Sequence, residues 1–256
     1  MNKEICILLY THNDYCDIWH LTMSLIERYI DLNTIKVYFA VNDLNGYKLN
    51  KNIVPMIYND REIYTERVSK ITKKLNYKYI LFLHEDWIIT NNFDMNIIKE
   101  YINIMKRYSI NHIRSYRNYG ESKPLNIIDK EIDINSILKI KSIPANASCF
   151  VSLQPGIWEK NTFIEVFNYK SNNPAKLEWN VNNSIDFRKK YYTSFFYENT
   201  IKMDNSLMFP HIHSISGGRW ALCNSENLEK ILKKYNIDIK KRGYFNRKLN
   251  IDVYKD

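Results

Sequence analysis

Tyr79-Ile80-Leu81-Phe82-Leu83-His84-Glu85-Asp86 decides the fold: an unbroken apolar run stops at an abrupt polar triplet. A run of that length without alternation is the pattern of a strand covered on both faces, as in a parallel sheet. Upstream, Ile5 to Tyr10 is a second such run, ending in Thr11-His12-Asn13-Asp14, and Lys36 to Val41 is a third, ending in Asn42-Asp43. Between the strands, Ile18, Leu21, Leu25 and Tyr29 keep to one helical face, as do Tyr64, Val68, Ile71 and Leu75. Strand, helix and strand, with polar residues after each strand, form a βαβ unit. Ligands of open α/β sheets lie beyond the carboxyl ends of the strands, so the polar clusters share one edge.

Downstream the alternation loosens. Met95, Ile98, Ile102 and Met105 mark a further helix, and residues 115 to 148 are polar and irregular with a short candidate strand at Ile137 to Ile140. Cys149-Phe150-Val151-Ser152-Leu153 reads as a strand and Gln154-Pro155-Gly156-Ile157-Trp158 as the loop leading to the next helix. A helix from Trp179 to Tyr191, a strand from Thr193 to Tyr197, the segment Leu207 to Ile215, and a last helix carrying Leu228, Ile231, Leu232 and Tyr235 complete the expected order. The 256 residues suit one well-buried α/β domain with a modest C-terminal tail.

Apolar content of 45% with 25% charged residues is ordinary globular composition and argues against a disordered chain. The net charge of +9 invites a nucleic-acid partner, but the basic residues are dispersed. Only Lys233-Lys234 and Lys240-Lys241-Arg242 form short runs, which suits solvated helix faces better than a phosphate-binding stripe. Cys6, Cys16, Cys149 and Cys223 lack C-x-x-C spacing and read as reduced thiols of an intracellular, cytoplasmic protein. The apolar stretch after Met1 is too short for a signal h-region, and no run approaches the roughly 20 residues of a membrane helix. Any membrane contact is therefore expected to be peripheral.

The chemistry should sit at His84-Glu85-Asp86. Adjacent carboxylates at a strand end repel one another unless solvent or a cation lies nearby, and a hard cation such as Mg²⁺ or Mn²⁺ takes carboxylate and diphosphate oxygens together. The same placement also serves a helix N-cap. His211-x-His213 would project both rings to one side of a strand, with no Cys or third His near enough for a structural zinc site. Arg219, raised on Gly217-Gly218, suits paired phosphate oxygens or an ordinary surface turn. Gln154, Gly156 and Trp158 offer a hydroxyl partner, close backbone approach and a flat apolar wall, although a Trp there also fits simple core packing.

These pieces resemble a family. Tyr79 to Ile89 is similar to the D-x-D region of GT-A glycosyltransferases, and Ser152 to Trp158 resembles the Q-P-x-I-W segment of a group found in bacterial polysaccharide clusters and large DNA viruses. Pro174-Ala175-Lys176-Leu177-Glu178 keeps the Pro and Glu of that group's P-W-x-x-E stretch, and Thr11-x-x-Asp14-Tyr15-x-x-x-Trp19 is similar to its first βα turn. His84 stands where the first Asp of the triplet would be, and Ala175 where the Trp would be. The resemblance covers most of residues 5 to 220, in the expected order. It implies a single GT-A (Rossmann-like) domain over residues 1–222, with a nucleotide-binding half at 1–110 and an acceptor-side half at 111–222. Residues 223–256 would add a C-terminal helix and basic tail.

The implied activity is transfer of a sugar from a nucleotide sugar, a UDP-sugar first, to a glycan or other hydroxyl acceptor, with Mn²⁺ or Mg²⁺ and inversion at the anomeric carbon. Asp86 with His211 or His213 would hold the metal, and Glu178 would act as general base, although a bare helix-start Glu is ordinarily a surface residue. Thr11, Asp14, Asn42, Asp60, Arg67, His84, Glu85, Gln154, Gly156 and Arg219 are candidates for donor contacts. Two other classes remain open: a metal-dependent protein acting on or binding nucleic acid, recognisable by steep salt dependence, and an inactive relative that binds sugar nucleotides.

Overall fold

A computed structural model of the chain describes residues 4–116, 131–133, 139–200, 202–222, 226–246 and 251–253. In chain order the elements are β1 (Ile5–Tyr10), α1 (Cys16–Tyr29), β2 (Lys36–Val41), β3 (Ile53–Ile57), α2 (Tyr64–Lys74), β4 (Tyr79–His84), β5 (Trp87–Ile89), α3 (Met95–Tyr108) and β6 (His112–Arg114). They continue with β7 (Glu131–Asp133), β8 (Lys139–Ser142), β9 (Gly156–Glu159), α4 (Lys160–Val166), α5 (Pro174–Asn182), α6 (Ile185–Tyr191) and β10 (Phe195–Glu198). The last are β11 (His211–His213), β12 (Ile215–Ser216), β13 (Arg219–Trp220), α7 (Glu226–Lys234), β14 (Tyr244–Asn246) and β15 (Ile251–Val253).

Among the described residues, a nine-stranded sheet has the order β3-β2-β1-β4-β9-β6-β10-β8-β7. Only β9 and β8 run against the rest, so the sheet is mostly parallel. Alternate residues of β1 show why the apolar runs do not alternate with polar residues. Ile5, Ile7 and Leu9 pack with Ile18, Trp19 and Leu25 of α1 and Ile98 and Tyr101 of α3, while Cys6, Leu8 and Tyr10 pack with Val68 and Ile71 of α2 and Phe163 of α4. Helices therefore cover both faces, and every residue of β1 is buried. The fold is mixed α/β with a large central sheet flanked by helices, as expected.

Several expectations need correction. Cys149 to Leu153 is not a strand. Its Val151 backbone is satisfied by a side chain instead: Asn182 Oδ1 accepts from Val151 N at 2.7 Å and Asn182 Nδ2 donates to Val151 O at 2.8 Å. That carboxamide reproduces the donor-acceptor pair a neighbouring strand would present. The expected loop at Gln154 to Trp158 contains β9, which lies antiparallel between β4 and β6 with Phe82 opposite Gly156 and Ile113 opposite Ile157. The expected helix at Trp179 to Tyr191 is two helices, capped by Asn173 Oδ1 on Lys176 N at 2.8 Å and by Ser184 Oγ on Phe187 N at 3.3 Å. The strand β3 had no place in the expected order, because Pro55 interrupts its pattern; as the sheet's outer strand it tolerates a residue without an N–H. Of the expected strand at Ile137 to Ile140, residues 137 and 138 lie outside the described residues, as does Cys223; Cys6, Cys16 and Cys149 are free thiols.

Among the described residues, two small sheets accompany the large one. The antiparallel β5–β11 pair sets Trp87 opposite His213 and Ile89 opposite His211. The sheet β12-β13-β14-β15 ties the C-terminal segment to residues 215–220. Among the described residues no helix is long and apolar enough to cross a membrane.

Candidate functional site

Register brings the site together. β1 and β4 pair with Tyr10 beside His84, β4 pairs with β9 at Phe82 and Gly156, and β6 meets β9 at Arg114 and Gly156. The ends of β1, β4 and β6 and the start of β9 therefore open at one edge, where a cleft of about 710 Å³ forms. Thr11, Arg67, His84, Glu85, Asp86, Gln154, Glu178 and His213 all line it. Asp14, Asn42, Asp60, Gly156, Arg219 and His211 do not.

The acidic triplet splits into three environments. His84 Nε2 is 2.9 Å from Tyr64 Oη, and burial pushes its pKa down to about 4, so the imidazole is neutral at physiological pH. Glu85 is buried, and burial followed by the neighbouring Asp86 charge raises its carboxyl well above the ordinary range. Its carbonyl is anchored by Thr22 Oγ1 at 3.0 Å, and its side chain is hydrogen-bonded by Thr11. Asp86 instead meets His213, with Oδ2 and Nε2 separated by 3.1 Å, while Asp86 Oδ1 is buried without a hydrogen-bond partner. The pairing depends on β5–β11 register and on Ser214, whose N and Oγ both donate to Asp86 O at 2.8 and 2.9 Å. His213 stacks on Trp87 with ring centroids 4.2 Å apart.

His211 is placed differently. It is fully buried, its Nδ1 is bonded to Phe209 O, and burial pushes its pKa down to about 3. Period-2 spacing turned both rings toward Trp87, but only His213 reaches the cleft. Gly156 lies within the sheet: a Cβ there would stand 2.8 Å from His112 Nε2 and 2.9 Å from Ile113 O, so the glycine serves close packing. Trp158 is likewise core, stacked on His112 with centroids 3.5 Å apart. Arg219 lies over the Phe245 ring at 5.3 Å.

Glu178 sits in the second turn of α5 and lines the cleft. Its Oε1 accepts from Leu153 N at 2.5 Å. Burial raises its pKa, opposed by that N–H, by the Ser152 hydroxyl and by the charge of Arg114. The irregular course of residues 149–153 thus has a consequence: a strand there would have used the Leu153 N–H in a ladder. Arg114 is itself fully buried behind the cleft, with Nη1 donating to Cys149 O at 2.7 Å.

The first βα turn is braced by its neighbours. His12 Nδ1 accepts from Asp14 N at 3.1 Å, which leaves the proton on Nε2 to donate to Asp60 Oδ1 at 3.1 Å. Asp60 also pairs with Arg67 at 2.8 Å. Asn42 Oδ1 accepts from Asn13 N at 2.8 Å, so Asn42 shapes the turn from outside the cleft. Asp14 is mostly exposed.

Sequence patterns did not point to the aromatic wall of the cleft, which includes Tyr10, Tyr15, Tyr64 and Tyr116. Tyr10 stacks on Tyr58 at 5.2 Å and meets Tyr64 edge-on at 5.3 Å. Tyr10 and Tyr64 belong to apolar patterns and read as core, Tyr15 entered only within the first-turn motif, and Tyr116 falls in the polar, irregular stretch; the available signal was that Tyr10 is the last residue of its strand. Arg242 was also missed: it pairs with Asp17 and lies 4.7 Å over the Tyr15 ring, from a tail with no visible link to the first turn.

No protein-family model matches the chain, and no curated protein matches it by sequence. Among solved structures, Staphylococcus aureus TarS 1–349 in complex with UDP-GlcNAc aligns at TM-score 0.47 and 12% identity, over 90% of this chain and 65% of that one. Another structure of TarS 1–349 gives 0.44 and 11%, over 78% and 61%. A cytidylyltransferase from Leptospira borgpetersenii gives 0.46 and 11%, over 96% and 100%. The chain thus spans about 61% of the TarS 1–349 chain. No residue role passes to this chain from these partial likenesses.

Proposed function

We propose that this chain is a GT-A-type glycosyltransferase that moves a sugar from a nucleoside-diphosphate donor, a UDP-sugar, to an acceptor hydroxyl with inversion. One observation carries the proposal: a half-buried carboxylate with a raised pKa, Glu178, shares a cleft with the Asp86–His213 pair, and the cleft's volume falls in the range of small-molecule sites. A base for the nucleophile and a cation-holding pair for the leaving group are what sugar transfer asks of a protein.

Asp86 Oδ1, buried and without a partner, and the imidazole of His213 suit one divalent cation, Mn²⁺ or Mg²⁺, with diphosphate oxygens and water completing its shell. Such a cation would neutralise charge on the departing diphosphate. Glu178 takes the proton from the acceptor hydroxyl as that oxygen bonds to the anomeric carbon. The bond from that carbon to the diphosphate oxygen breaks on the opposite face, and its electron pair leaves with the diphosphate. Burial strengthens Glu178 as a base, while the Leu153 N–H keeps its carboxylate oriented. Neutral His84, held on Tyr64, leaves the site with one fewer negative charge than a paired-aspartate triplet. Gln154 and the aromatic wall supply donor contacts, and the catalytic unit comprises residues 1–222.

The test is a thermal-shift screen of nucleotide sugars with and without Mn²⁺, because a ligand bound only by the folded state raises its melting temperature. A UDP-sugar that raises it in a cation-dependent manner supports the proposal, and a panel without any response sinks it. Binding without transfer or hydrolysis would assign the chain to the inactive relatives.

A further inference from the structure

Trp179 is 68% exposed, whereas Trp19, Trp158 and Trp220 are at most 1% exposed. A large indole left in water presents a flat apolar face with one polar edge, and what gives it meaning is its place beside a cleft. Its position is informative. Asn172, Asn173, Pro174 and Ala175, at the entry to α5, line the cleft, and so does Glu178. Trp179 follows Glu178 directly and lies four residues beyond Ala175, one turn along the helix face that forms the rim. The helix backbone beneath it is secured by Asn183 Nδ2, which donates to Trp179 O at 2.8 Å.

We propose that Trp179 is the stacking platform for the acceptor, and that the acceptor is a saccharide presenting the C–H face of a pyranose. The inference rests on Glu178 as the base. The acceptor hydroxyl must reach that carboxylate, so the rest of the acceptor extends along α5 from the rim. Asn172 lines the cleft at the entry to α5 and Trp179 stands exposed further along the same helix, a path that suits a ring apolar on its face and hydroxylated at its edge. The competing occupant is an anionic bilayer, since Ile185 on α6 and Tyr192 just beyond it are also exposed, at 66% and 54%, with Lys189 between them in the chain.

Two measurements on the full chain decide the matter. In the first, iodide quenching of tryptophan fluorescence is followed during titration with methyl β-hexopyranosides, their disaccharides, and vesicles of phosphatidylglycerol. Saccharides should shield the iodide-accessible emission, and W179F should abolish that change. In the second, steady-state transfer to the best saccharide of that panel should show an acceptor KM raised about tenfold in W179A, with kcat changed less than about threefold and W179F close to wild type. The donor-induced melting shift should persist in both variants, which also establishes that they fold. Unchanged acceptor KM in W179A overturns the proposal, as does shielding by vesicles without shielding by any saccharide. If no UDP-sugar raises the melting temperature of the wild type, the glycosyltransferase assignment itself fails and the acceptor platform falls with it.

Discussion

In β1, β2 and β4 a single run of apolar residues makes each strand, parallel neighbours satisfy its backbone except where β9 lies antiparallel against β4, and polar residues follow each run. In the region from β6 to β11 the sheet is continued by strands of three or four residues, one of them inserted antiparallel at its centre, while an apolar run of similar look, Cys149 to Leu153, stays outside the sheet. The first region presents Thr11, His84, Glu85 and Asp86, and the second contributes Gln154, Glu178 and His213. In the proposed reaction the regular region supplies the carboxylate of the leaving-group side, Asp86, while the irregular region completes that side with His213 and supplies the proton acceptor, Glu178. A repetitive scaffold can carry generic diphosphate chemistry, whereas a base for one acceptor needs a placement that repetition does not provide.

The sharpest way to break that division is to change one carboxylate on each side. Glu178→Gln should lower turnover by about 10²- to 10⁴-fold while leaving the donor-induced melting shift in place, as befits loss of a general base. Asp86→Asn should abolish the cation-dependent part of that shift and, with it, most of the transfer rate. Exchange of these phenotypes, with Glu178 governing donor binding, would refute the assignment of roles. Turnover of the wild type should also rise with pH through a transition above the ordinary carboxylate range, because Glu178 must be ionised to act and burial raises its pKa. Glu178→Gln should erase that limb of the profile.

Stability comparisons sharpen the structural half of the contrast. Glu198 is buried, accepting from Tyr101 Oη at 2.5 Å, Leu207 N at 3.1 Å and Met208 N at 2.6 Å, so it binds β10 to α3 and to the segment before β11. Glu198→Ala strands those donors and should cost about 3 kcal/mol in chemical denaturation. Gly156→Ala forces a methyl against His112 and the Ile113 carbonyl and should cost about 2 kcal/mol, whereas Gly46→Ala, where nothing lies within 4 Å, bears only the cost of its positive φ, about 1 kcal/mol. Equal losses at the two glycines would contradict the tight seating of β9. The smallest effect concerns pH. Burial raises Glu198 to about 7, so its contribution to stability is full below the ordinary carboxylate pKa and is lost as pH rises through about 7. Melting of the wild type relative to Glu198→Gln should therefore decline between pH 5 and pH 8, and a flat difference would remove that assignment.

How far the site was legible follows the same contrast. Asp86 and Thr11 were visible because a strand that ends at a polar residue states its own boundary. The general-base candidate was visible only through resemblance, since Glu178 by itself is a carboxylate on a short helix with nothing local to mark its burial. His213 and His211 were indistinguishable because period-2 spacing gives them the same side; a difference in depth along β11 separates a cleft-lining residue from a core residue. The tyrosine wall was hidden because a residue that packs and a residue that lines a cavity are chosen from the same apolar alphabet.

By itself, the sequence determined that the chain builds a helix-covered sheet from βαβ units and that polar residues collect where its first strands end, because periodicity and strand termination are local properties. Tertiary structure alone decided that β9 enters the centre of the sheet, that Asn182 substitutes for a strand partner, and that Glu178 and Asp86 share one cleft. Those outcomes depend on contacts between residues far apart in the chain, and no local pattern encodes which of several short apolar segments will win a given place in the sheet.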